Sequence, residues 1–331
     1  MTRNPNEIPI LPEGVDPTTP LEPLPPAPPE LPRTKFPSPR QTLSYIRGLL
    51  ENNRLEPKNK LGQNFLIDLN MLDLVVRSAE LTREDSVLEV GTGTATLTMH
   101  LADLAGAVFT VEIDREFHKL VQPILQTRPN VVSFLGDALI RKNELNPDML
   151  NGWAELTQRC RGTRRKLVAN LPYAIATPVI SNLLIQNEFV VERMVVMVQW
   201  EIAERLRAEV GTKEYGALSV LVQSVADVEV IRKVGPANFH PRPKVDSAIV
   251  QITPNSTKRA KVGDVQKFRE FLRDLYTLRR KNLRAALAGW PRGKTNKAEV
   301  DAKLNALGLD GNVRAETLDG DQHLALCATF G

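Results

Sequence analysis

Cysteine is scarce in this chain, and the scarcity excludes two kinds of protein. Only Cys160 and Cys327 occur, far apart and without C-x-x-C spacing, so no disulfide framework can staple a small secreted scaffold. Together with four scattered histidines they give no metal-ligating pattern either, and no metal is expected. Such thiol usage suits a reducing compartment, so the cytoplasm is the expected location. Long hydrophobic runs are also missing. No stretch of about 18 apolar residues is available to cross a bilayer, and the first charges are not followed by the apolar segment of a secretory leader. Neither sign of charge dominates. Lys and Arg number 43 against 39 Asp and Glu, a net charge of +4 that permits nucleic-acid binding without requiring it.

What is present is enough for a substantial core. At 331 residues, 42% hydrophobic and 25% charged, the chain has room for a large domain and a smaller one. Residues 1–40 hold 13 of the 24 prolines, which blocks helix and sheet ladders and predicts an extended, disordered tail. From Thr42 the pattern turns helical, with Leu43, Ile46, Leu49 and Leu50 on one face. A basic segment, Lys58 to Leu66, precedes a second amphipathic helix over 69–79. Strands and helices then alternate. Strands are expected at 86–90, 107–111, 131–135, 166–169, 193–198 and 247–252, with helices at 96–104, 115–125, 178–185 and 201–209. The stretch 220–234 is largely apolar and β-branched. This alternation predicts an α/β fold with a doubly wound, mostly parallel sheet. Past Pro254 the pattern is charged helix, and Asp264 would cap a long one carrying Phe268, Phe271, Leu272, Leu275, Leu278 and Leu283. The expected division is therefore a tail at 1–40, a catalytic domain at 41–255 and a small helical domain at 256–331.

Three successive strand ends carry the residues of a nucleotide pocket. Glu89-Val90-Gly91-Thr92-Gly93-Thr94-Ala95 joins a strand to a helix, and glycine there lets the backbone turn tightly and a ligand approach the main chain. Glu112 ends the next strand, where a carboxylate meets ribose hydroxyls. Gly136-Asp137-Ala138 follows the third, placing a carboxylate to accept a hydrogen bond from an adenine amino group. Thr96 stands where a dinucleotide loop would have its third glycine, and no lysine or arginine is placed to cradle phosphates. A pocket of this kind suits S-adenosylmethionine, which has an adenine, a ribose and a cationic sulfonium but no phosphate.

Asn170-Leu171-Pro172-Tyr173, at the end of the fourth strand, suggests the chemistry. An adenine amino nitrogen is a poor nucleophile, because its lone pair is delocalised into the ring. A site must accept hydrogen bonds from that amine and favour its pyramidal geometry. The Asn170 side-chain oxygen and the Leu171 carbonyl are suited to this, and Pro172 stiffens the turn that holds them. Tyr173 offers an aromatic face to an extruded base, worth roughly 1–3 kcal/mol. Extrusion costs a few kcal/mol, so stacking is of the right size to offset it. Phe239, held between prolines in 236–247, is the candidate for the other face of the base, and Arg242 and Lys244 in the same segment are candidates for phosphate contact.

Taken in order, these segments resemble the KsgA-type small-subunit rRNA adenine dimethyltransferases. The resemblance rests on Leu61 to Leu66, Glu89 to Gly93, Gly136 to Ala138, Asn170 to Tyr173, Tyr215 to Val220 and Phe239 to Ser247, and it covers the chain from about Leu55 onward. It implies a Rossmann-like class I methyltransferase fold and a monomeric enzyme that uses S-adenosylmethionine. The implied substrate is two adjacent adenosines in the 3′-terminal hairpin loop of small-subunit rRNA, within an assembling subunit. It also implies cofactor contacts from Asn64, Leu66, Gly91, Gly93, Glu112, Asp137 and Asn170, and rRNA contact by Arg279, Arg280, Lys281 and Arg284. Two positions depart from the family pattern: Ala169 replaces a common glycine, and Trp200 stands where many relatives have lysine. Two rival readings share the motifs. One is an Erm-type enzyme acting on large-subunit rRNA, disfavoured by the segments at 279–284 and 308–316. The other is an RNA-binding assembly factor without catalysis, disfavoured by intact Glu112, Asp137 and Asn170.

Overall fold

A computed structural model describes residues 42–160, 164–187, 189–288 and 296–331. The proline-rich tail expected at 1–40 lies outside them. Seven strands form the main sheet: β1 (Asp85–Val90), β2 (Ala107–Glu112), β3 (Val131–Leu135), β4 (Arg164–Asn170), β5 (Arg193–Gln199), β6 (Ala226–Val234) and β7 (Ser247–Pro254). Their order across the sheet is β3-β2-β1-β4-β5-β7-β6. The five strands from β3 to β5 are parallel, and β7 runs antiparallel between β5 and β6. The chain reverses its winding between β1 and β4. In open α/β sheets that switch point, at the carboxyl ends of the strands, is where ligands bind.

Thirteen helices accompany the sheet among the described residues: α1 (Leu43–Asn52), α2 (Leu69–Ser78), α3 (Thr96–Leu104), α4 (Arg115–Leu125), α5 (Pro147–Arg159), α6 (Ala176–Ile185), α7 (Trp200–Arg207), α8 (Ala217–Gln223), α9 (Ser256–Val262), α10 (Val265–Thr277), α11 (Leu283–Ala288), α12 (Lys297–Ala306) and α13 (Gly320–Phe330). Each central strand is buried on both faces, which is why β1 and β2 are buried at every position. One apolar cluster, built on Leu88, Phe109, Trp153, Leu167, Ile180 and Val196, fills one side of the sheet and continues into Phe268, Phe271 and Leu326 of the C-terminal helices. A second, with Val87, Val108, Val168, Val195 and Ile249, fills the other side beneath α2 and α3.

Several elements differ from the sequence expectation. The stretch 220–234 is not one element: α8 ends at Gln223, and β6 begins at Ala226. Helix α5 is absent from the elements expected above, although Asn146 caps it and Pro147 opens it. Asp264 does cap α10, through its side chain and the Lys267 amide. The long helix, however, stops at Thr277 instead of continuing through Leu283. Leu278 turns out to solvent, and the Asn282 side chain accepts the Ala285 amide to start α11 afresh. An amphipathic pattern that continues in register cannot reveal such a break.

Candidate active site

The carboxyl ends of β1, β2, β3 and β4 open into one cleft, lined among others by Gly91, Gly93, Glu112, Asp137 and Asn170. At the end of β1 the chain must leave the sheet at once. The Gly91 and Thr92 amides both donate to the Val111 carbonyl, and Gly91 takes a φ of +93°. A side chain at Gly91 would meet Pro172 Cδ at 3.4 Å and the Asn170 carbonyl oxygen at 3.6 Å. The glycine therefore permits both the turn and the close approach of the two strand ends.

Glu112 is buried, and both its oxygens are placed by the main chain. The Gly93 amide donates to Oε2 at 2.9 Å, and the Asp114 amide donates to Oε1 at 2.9 Å. Burial pushes the carboxyl above its ordinary value, while those amides oppose the shift. Each oxygen keeps further acceptor capacity, which suits a diol such as a ribose. Asp137 is exposed at the next strand end, its Oδ1 accepting the Leu139 amide at 2.9 Å.

At the end of β4 the Asn170 side chain is half-buried, and its Nδ2 donates to the Asn64 carbonyl at 2.9 Å. That bond commits the amide nitrogen, so the side-chain oxygen is the group left to accept from a substrate. Leu171 is buried, with its amide donating to the Met197 carbonyl of β5, and the Pro172 carbonyl accepts the Ile175 amide. Tyr173 is half-buried; its hydroxyl bonds Ser247 Oγ at 2.8 Å, and burial raises its pKa.

The segment before α2 crosses the cleft as a strap. Lys60 through Phe65 line it, and both ends are tied down. Lys58 pairs with Asp114 at 2.9 Å and Glu116 at 2.8 Å, and Gln63 donates to Asp114 at 3.1 Å. At the other end Phe65 and Leu66 pair antiparallel with His240 and Phe239. Helix α1 packs Ile46 and Leu50 against Phe65 and Phe117, fixing the strap to α4.

A family model for ribosomal RNA adenine dimethylase matches residues 54–326. The chain belongs to this family. Ribosomal RNA adenine dimethylases use S-adenosylmethionine, and the chemistry of the cleft fits it: the buried Glu112 carboxylate, the exposed Asp137 carboxylate and the glycine turn line it, and a sulfonium cofactor needs no phosphate cradle. The chain is 36% identical over 286 residues to the ribosomal RNA small subunit methyltransferase A of Pelotomaculum thermopropionicum, covering 86% of this chain and 95% of that one. It is 39% identical over 274 residues to the protein of the same name from Pediococcus pentosaceus, covering 82% and 89%. Among solved structures it resembles a dimethyladenosine transferase from Plasmodium falciparum, with a TM-score of 0.64 and 26% identity over 79% of this chain and 95% of that one. It also resembles the 23S rRNA methyltransferase ErmE, with a TM-score of 0.55 and 26% identity over 81% and 99%.

Within this dimethylase the structure brings together Asn64, Gly91, Gly93, Glu112, Asp137, Asn170 and Pro172 on one cleft. Leu66 lies just behind, in a smaller cavity beside Gly91 and Asn170. Phe239 is not brought to the cleft. Its ring is 1% exposed and packs in the core with Leu66, Met197, Val234 and Ile249, so here it offers no open face to a base. The expectation that it covers the base is corrected to a supporting one: its backbone pairs with the strap. Lys60 lines the wall of the cleft as well. Gln63, Ile113 and Ile175 also line the cleft unannounced. Ile113 was findable as the residue after a strand-ending acid, whereas Gln63 acquires meaning only through Asp114, 51 residues away.

The basic residues separate into two groups. Arg242 and Lys244 are exposed beside β7. Arg279 pairs with Glu316 at 3.3 Å and Arg284 with Asp301 at 2.5 Å. Arg280 and Lys281 are exposed, with no ion pair among the described residues.

Proposed function

We propose that this dimethylase transfers methyl groups from S-adenosylmethionine to the exocyclic amines of two adjacent adenosines in the 3′-terminal hairpin loop of small-subunit rRNA, during subunit assembly. The observation that carries the chemistry is the hydrogen bond from Asn170 Nδ2 to the Asn64 carbonyl, which leaves Asn170 Oδ1 to receive an amine at the mouth of the cleft. The small-subunit target is supported by relatives such as those above, which carry that name at 36–39% identity over most of their length.

The bound cofactor supplies an electrophilic methyl group on a sulfonium. Glu112 and Asp137 would hold its ribose and adenine beside the glycine turn, and giving up the methyl would leave it as the neutral thioether. Asn170 Oδ1 and the Leu171 carbonyl accept hydrogen bonds from the target amine, drawing its lone pair out of conjugation and toward the methyl group. Tyr173 stacks on the extruded base. The methylated amine is acidic and releases its proton to water, so no strong base is required. Arg242 and Lys244 engage the flanking backbone, and residues 256–331 form the RNA-contacting unit, in which the exposed Arg280 and Lys281 face rRNA phosphates while Glu316 and Asp301 hold Arg279 and Arg284 beside them. Two cysteines without disulfide spacing suit a reducing compartment, and we read the enzyme as a cytoplasmic monomer.

The test combines labelled S-adenosylmethionine with small subunits from a strain lacking the modification, followed by mapping of reverse-transcription stops. Stops at two adjacent loop adenosines, lost with Asn170→Ala, are expected. Label on large-subunit RNA alone would move the enzyme to the ErmE-like reaction. Subunit binding without any label would leave a non-catalytic assembly factor.

A further inference from the structure

Trp200 is the first residue of α7, immediately after β5 ends, and its surroundings differ from those of a core tryptophan. Its ring is partly packed on the main core. Two cations from different elements lie over the rest: Lys233 Nζ is 4.7 Å from the ring centroid and Arg207 Cζ is 5.5 Å from it. Both cations are exposed. Lys233 comes from β6 and is further held by Asp246 at 2.8 Å.

This cluster is continuous with the chemistry site. The Trp200 amide donates to the Asp246 carbonyl at 2.9 Å, and the next residue, Ser247, bonds the Tyr173 hydroxyl at 2.8 Å. Gln199 and Ser247 are paired residues of β5 and β7. Two aromatics, Tyr173 and Trp200, therefore hang from the same two-residue step at the carboxyl edge of the sheet. Trp200 is half-buried, and an exposed cation over its open part is held weakly, so it can be displaced by another partner for the ring. A nucleotide offers both partners at once, a base for the ring and a phosphate for the released cation.

Resting on the RNA-methylation reading above, we propose that Trp200, with Arg207 and Lys233, is a binding platform for a single-stranded nucleotide that flanks the target adenosine. In the free protein the two cations cover the ring. On binding, the base stacks on Trp200, and Arg207 and Lys233 turn to its phosphates. The platform fixes the strand on the far side of Tyr173, so its effect falls on RNA binding and leaves the cofactor cleft alone.

The test measures KM for undermodified small subunits, KM for S-adenosylmethionine, and subunit binding by co-sedimentation without turnover. Trp200→Ala is expected to weaken subunit binding roughly 5- to 150-fold, the range of one lost base stack, with the cofactor KM unchanged. Trp200→Phe, which keeps a stacking ring, restores most of the loss. Arg207→Ala/Lys233→Ala at the exposed rim weakens subunit binding and flattens its salt dependence. Equal subunit binding by Trp200→Ala and the parent protein overturns the platform. If Trp200→Ala also loses cofactor affinity, the double variant decides, and subunit binding unchanged in that variant overturns the proposal. A parent protein that never labels RNA, yet binds subunits less well once Trp200 is removed, would end the methylation reading and leave the platform standing.

Discussion

Asn170 is asked to do two things with one amide, and only one of them can be seen in its neighbours. Its nitrogen is spent on the Asn64 carbonyl, so the oxygen is oriented before substrate arrives. Removing one preorganised hydrogen-bonding group from a reacting centre costs about 10²–10³ in kcat. Asn170→Ala is expected to fall in that range in single-turnover methylation of undermodified small subunits, and a loss below tenfold would deny it the role. Glu89 is a different case. It is buried beneath the glycine turn, with Oε2 accepting from Thr98 at 2.6 Å and Thr110 at 2.7 Å. Burial pushes its pKa from 4.5 up to about 8. The folded chain thus keeps a proton that the unfolded chain releases, and stability contributed by this group falls as pH rises from about 5 through 8. Glu89→Gln stays neutral, and the threonine hydroxyls can rotate to accept from its amide. Thermal melts without cofactor should show the variant close to the parent at pH 5 and more stable above pH 8. Parallel melting curves across that range would show that Glu89 is ionised in the fold.

At the scale of elements, the strap over the cleft depends on one aspartate. Asp114 caps α4 by accepting the Glu116 amide at 3.0 Å, and it also receives Lys58 and Gln63. Burial opposes its ionisation, yet those hydrogen bonds together hold it below the usual carboxylate value. Asp114→Ala is expected to cost about 1–2 kcal/mol through the lost cap and to weaken cofactor binding through the freed strap. Calorimetry of S-adenosylmethionine binding beside a thermal melt separates the two effects; a lower melting temperature with unaltered affinity would show that the strap holds without Asp114. Most elements of the sheet were legible because a run of apolar residues bounded by turns has few alternatives. The strap was not, since its strand is Phe65–Leu66 alone and exists only because Phe239–His240 lies alongside.

For the whole molecule, a net charge of +4 is too small to imply RNA binding, and arrangement has to supply it. Of the basic run after α10, Arg279 and Arg284 are committed to Glu316 and Asp301, whereas Arg280 and Lys281 stand exposed. Each phosphate contact contributes about 0.7–0.9 to the slope of log affinity against log salt. Arg280→Ala/Lys281→Ala should therefore flatten that slope for small-subunit binding by roughly 1.4–1.8, while Arg279→Ala acts mainly on stability. An unchanged slope in the double variant would place the RNA elsewhere.

The sequence by itself determined the alternation of strands and helices, the order of the strand-end residues Gly91, Glu112, Asp137 and Asn170, and through them the chemistry. These are local facts: a strand end is written in its own apolar run, and the residue that follows it points from the edge where ligands bind. Tertiary structure alone decided that Asn64 orients Asn170, that Phe239 supports the strap from inside the core, and that Lys233 and Arg207 meet over Trp200. Each of these joins residues distant in the chain or turns a side chain toward one of two available faces. The physical reason is the same throughout. Spacing along a chain fixes which residues share an element, but contact between elements is set by how their faces pack, and that information is spread over the whole core.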